Sequence, residues 1–74
     1  MTKFQTVGPN GAIVTGSTDL DPAEAVVIWA WSNSCNDWLR QSGAVEQSVA
    51  VAGIQALMAE CPEIRPCLTQ CESV

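Results

Sequence analysis

The stretch from Pro22 to Gln41, PAEAVVIWAWSNSCNDWLRQ, limits what this chain can become more than any other. It carries all three tryptophans, one of the four cysteines and the longest apolar run, so much of the remaining chain must serve to cover it. Its approach reads as a helix start. Asp21 can accept hydrogen bonds from free backbone N–H groups, and Pro22 fits the first helical position. Asp19, Asp21 and Glu24 place negative charge at the positive end of the dipole. Gly43 supplies the stop, with Arg40 in the last turn. At about 100° per residue, Ala25, Ile28, Trp31, Cys35, Trp38 and Leu39 fall on one stripe. Asn33, Asn36, Asp37, Arg40 and Gln41 fall on the other. Val26, Val27, Trp29 and Ala30 wrap apolar surface around the first half, and a helix apolar all round must be covered on more than one side.

Before this stretch, Lys3–Val7 and Ala12–Thr15 read as two short strands. Gly8-Pro9-Asn10-Gly11 between them is turn chemistry, because proline presets φ and Asn-Gly tolerates positive φ. The pair predicts a β-hairpin over about 3–15, with Phe4, Val7, Ile13 and Val14 as its covering residues. After Gly43, AVEQSVAVAGIQALMAE predicts a second helix over about 44–60, rich in good helix formers. Its wheel has a small stripe, Val45, Val49, Ala52, Ala56 and Ala59, and a larger one, Ala50, Ile54, Leu57, Met58 and Cys61. The plain reading is a central helix, with the first helix on one side and the C-terminal segment on the other. The sharper one is a homodimer seam along the small stripe, where Gly53 adds room. Pro62 and Pro66 break the pattern in the segment 61–74. Pro66 can open a short last helix, Pro66–Glu72, with Cys67 and Cys71 on one face. The predicted fold is therefore α+β: one small domain, residues 1–74, with an N-terminal β-hairpin packed on two main helices plus a short C-terminal helix.

A chain of 74 residues buries only about 60–65% of its extended surface, so a disulfide, a metal or a partner is expected to help it. The cysteines are Cys35, Cys61, Cys67 and Cys71. In an oxidising compartment, Cys35 would pair with one of the other three. That would close a loop of roughly 26 to 36 residues and contribute about 3–4 kcal/mol. The four could instead bind zinc, but no C-x2-C knuckle is present. They could be redox thiols, but there is no Cys-x-x-Cys, no histidine and no basic neighbour except Arg65 near Cys67 to activate them. They could also be reduced and packed as small apolar side chains. No cofactor is expected.

Histidine is absent, which removes the commonest general base and metal ligand. Eight acidic residues face three basic ones, for a net charge of −5. Lys3, Arg40 and Arg65 form no run, so direct nucleic-acid binding is not expected. The first residues show no signal-peptide h-region, and the apolar run is far short of the roughly 20 residues of a membrane span. Helix capping explains Asp19, Asp21 and Glu24 without an acid–base site. On the helical reading, Val26 and Trp29 stand above Asn33, Asn36 and Arg40, away from the core stripe. These five residues form a candidate surface for another protein, since exposed Trp and Arg are enriched in binding hot spots. The function expected is a small acidic, non-enzymatic, cytoplasmic interaction protein: an accessory subunit, adaptor or inhibitor, including a phage-encoded one. The alternatives are a secreted, disulfide-stapled helical protein and a thiol-based metal or redox protein.

Overall fold

The stretch that carries the tryptophans is not a helix. In the computed structural model, which describes residues 1–74, the chain runs β1 (Thr2–Val7), β2 (Ile13–Thr18), a single 3-10 turn (Pro22–Glu24), β3 (Ala25–Ser32), β4 (Asp37–Arg40), β5 (Val45–Glu46), α1 (Gln47–Glu60), β6 (Pro66–Gln70) and β7 (Glu72–Ser73). The molecule is mostly antiparallel sheet with one α-helix. This corrects the expected array of two main helices plus a short third. The start signal is real but brief. Asp21 accepts a 3.1 Å bond from the Ala23 N–H and Pro22 opens the turn, yet the backbone is already extended at Ala25. Val26, Val27 and Ile28 are β-branched and Trp29 is aromatic, and such side chains favour a pleated backbone over a helix.

β3 is the strand around which the layers are built. Ala25 to Ala30 are all buried, as expected for a strand covered on both faces. Val26–Ala30 pair with Gln70–Pro66 of β6 on one edge. The other edge takes β4, opposite Trp29–Ser32, and β5, opposite Ala25–Val26, end to end. Between these two, the Gln41 N–H reaches Ile28 O at 2.8 Å, and the Ile28 N–H donates to Ser42 Oγ at 3.1 Å.

Successive residues of β3 point to opposite faces. Ala25, Val27 and Trp29 face a core with Phe4 and Cys71 that is rimmed by Val14, Leu20, Trp38, Ala44 and Cys67. Val26 and Ile28 face Ala50 of α1, with Val45, Ile54 and Leu68 around them. The result is three layers: the β2-β1-β7 sheet, the sheet centred on β3, and α1. β6 and β7 are separated only by Cys71, so one bent segment serves both sheets, a common way of making the corner between sheets. Residues 66–72 are therefore extended, not a short helix. Four residues along a strand put Cys67 and Cys71 about 13 Å apart.

The N-terminal hairpin closes through the loop 8–12. The Gly11 N–H donates to Gly8 O at 2.9 Å, the Ala12 N–H donates to Asn10 Oδ1 at 3.0 Å, and Gly11 takes a φ of 84°. Phe4 and Thr6 turn inward and are buried. Phe4 lies opposite Gly16, where an added Cβ would come within 2.9 Å of the ring. Trp29 lies under the hairpin: a Cβ at Gly8 would meet its ring at 2.7 Å. Its indole N–H donates to Thr69 Oγ1 at 2.8 Å. Thr69 Oγ1 is in turn 2.8 Å from Thr6 Oγ1, which is 3.0 Å from Gln70 O. These contacts pin hairpin to central sheet through groups that would otherwise be buried unpaired.

Candidate interaction surface

The five residues expected to form one contact surface are separated by the strand geometry. Val26 is buried beneath α1 and Trp29 beneath the hairpin, on opposite faces of β3. Asn33 and Asn36 are exposed in the β3–β4 turn. There Asn33 Oδ1 accepts the Trp31 Nε1–H at 2.9 Å, and Asn36 takes a φ of 52°, which asparagine tolerates. Arg40 is exposed at the end of β4. Trp31 and Trp38 stand opposite each other across the two strands and meet edge to face, with centroids 5.6 Å apart.

The four cysteines do not assemble. Cys35 is exposed in the β3–β4 turn and Cys61 just after α1, Cys67 is half-buried, and Cys71 is in the core; all four are free thiols. Burial pushes the Cys71 thiol above its ordinary range, because the thiolate would lose its hydration. No group of three or more Cys, Asp or Glu side chains gathers as a metal site would require. A shallow depression of about 230 Å³ lies beside Lys3, Phe4, Thr15, Gly16, Ser17 and Val74, with one ammonium and two hydroxyls at its rim.

The larger feature is the outer side of α1. Its inner side is fixed by Ala50, the one fully buried residue of the helix, with Gly53, Ile54 and Leu57 half-buried around it. At about 100° per residue, Ser48, Ala52, Gln55 and Ala59 point directly away. Val51 and Met58 form one shoulder of this face, and Val49 and Ala56 the other. All eight are exposed, Val49 at 56%, Met58 at 46% and Val51 at 41%. From Gln47 to Ala59 the helix carries no charge, in a chain with eleven charged residues. Compared with family models, curated proteins and solved structures, the chain matches none.

The sequence offers two readings of the small stripe Val45, Val49, Ala52, Ala56 and Ala59: a covered side of a central helix, or a homodimer seam. Apart from half-buried Val45 the stripe is in solvent, because the segments meant to cover it became strands of the sheets. The signal that identifies the surface was thus present: a 14-residue helix apolar around most of its circumference with sheet on one side only. No helix is long and apolar enough to cross a membrane.

Proposed function

We propose that this chain is a small non-enzymatic protein-interaction module, an accessory subunit, adaptor or inhibitor, and that it engages its partner through the outer side of α1. The observation that carries this reading is the charge-free, largely apolar face of Val49, Val51, Ala52, Ala56, Met58 and Ala59, with Ser48 and Gln55 as the polar residues among them, left uncovered by every other element. Contiguous exposed apolar surface on a soluble domain marks contact sites more often than single exposed residues do. Covering the three larger side chains, each near half exposed, contributes on the order of 3 kcal/mol. That is modest against the cost of association, so the contact suits a regulated or transient partner. The separated, free thiols fit work in a reducing compartment such as the cytoplasm.

The test is capture from the native source with the wild-type chain and with the double variant Val51→Ser, Met58→Ser. Both substitutions sit on exposed positions and leave the core untouched, so thermal unfolding stays within a few degrees of wild type. The expected result is loss of the captured partner by the variant. Equal capture by both proteins, with the variant folded, would sink the reading.

A further inference from the structure

The ends of the apolar face restrict what can lie on it. Glu46 stands immediately before α1 and Glu60 closes it, with Glu63 in the turn beyond; all three are exposed. At 1.5 Å per residue, Glu46 and Glu60 are about 21 Å apart along the axis. The C-terminal end is the more negative of the two. Its last-turn carbonyls carry the negative pole of the dipole, no basic residue lies in that turn, and Glu60 adds a full charge there. The face is thus a charge-free, largely apolar strip with Ser48 and Gln55 among its outermost residues; two exposed carboxylates stand at its finish, and Glu46 of β5, paired with Ala25 of β3, lies just before its start.

We propose that this face receives a short basic amphipathic segment of a partner protein, with an apolar strip and Lys or Arg at each end, one of these against Glu60 and Glu63. The proposal rests on the interaction-module reading and names the partner's chemistry. A second copy of the chain fits less well. An antiparallel pair of α1 helices would set Glu46 of each copy against Glu60 of the other, and a parallel pair would set like ends together. The strip, about 21 Å long and about 10 Å wide, covers only a few hundred Å² per partner, against roughly 800 Å² in a stable dimer. A single partner helix of similar length matches it, in the manner of helix-in-groove recognition. Cationic ends complement the frame, steer the encounter and supply charge contacts that the apolar strip alone lacks.

The experiment uses two synthetic peptides with the same Leu/Ala strip, one carrying lysine pairs at both ends and the other glutamate pairs. Backbone amide shifts of the whole protein report where and how tightly each binds. The lysine peptide is expected to shift resonances of residues 47–60 and to bind at least about ten-fold more tightly than the glutamate peptide at low salt. That margin should shrink at about 500 mM salt, and in the triple variant Glu46→Gln, Glu60→Gln, Glu63→Gln. Equal affinity for both peptides on residues 47–60 would overturn the charge inference and leave the docking face standing. Binding of neither, or binding elsewhere, would overturn both. A concentration-dependent dimer through α1, seen by sedimentation, would overturn the proposal in favour of a second copy.

Discussion

Trp29 is held from two directions by small decisions in the sequence. Gly8 leaves room for the ring, and Thr69 takes its N–H. A methyl group at Gly8 would enter the space of a ring that the Thr69 bond keeps from moving aside. Gly8→Ala is therefore expected to cost about 1–3 kcal/mol by overpacking. Thr69→Val keeps the shape but leaves the indole N–H without its acceptor and breaks the link to Thr6, for a similar loss of about 1–3 kcal/mol. Because both substitutions act on one ring, their effects should not add. Denaturant unfolding of the two single variants and the double tests this. A Gly8→Ala protein as stable as wild type would mean that the ring can shift at no cost. At this scale the sequence misled on Trp29. On a wheel it points away from Trp31 and Trp38, whereas on a strand it shares a face with Trp31, two residues on.

At the scale of elements, α1 shows that space and conformation can favour the same change. A Cβ at Gly53 would sit 3.7 Å from Ile28 Cδ1, an ordinary contact, so Gly53→Ala is expected to stabilise by about 0.5–1 kcal/mol through helix propensity alone. A raised melting temperature checks it, and a lowered one would mean that α1 approaches β3 more closely than this distance allows. The hairpin and α1 were legible because their signals are local. Proline and Asn-Gly fix the turn, and a run of Ala, Leu, Met and Gln has no competing pattern. β3 was not legible, because Asp21 and Pro22 form a true helix cap whose helix lasts one turn, and a buried apolar run has no polar side to reveal its period. The β-branched trio Val26-Val27-Ile28 was the available warning. The last strands were missed for another reason: two prolines near Cys67 disfavour a long helix but do not distinguish a strand from a short helix. Of the surface residues named in sequence, Asn33, Asn36 and Arg40 are exposed and Val26 and Trp29 are core, since the helical period that grouped them does not exist.

For the whole molecule, the core thiol gives stability a dependence on pH. The Cys71 thiol has an ordinary value of 9.0 and is pushed above it by burial. Above that ordinary value the unfolded chain has released the proton while the native chain still holds it, so the free energy of unfolding falls as pH rises. The contribution is fully present below about 9 and is lost through the alkaline range. In Cys71→Ala, the decline in unfolding free energy between pH 8 and pH 10, measured against each protein's own value at pH 7, should be shallower than in wild type. Equal declines would place the alkaline sensitivity elsewhere. The same corner of the fold also sets an order in time. The bent segment β6–β7 lies between β1 and β3 in space but is translated after both. A ribosome that has finished α1 has therefore made both flanks of an arch without its keystone. Until Pro66 to Ser73 emerge, β1 and β3 each lack one hydrogen-bonding neighbour, so assembly of this fold waits on that segment.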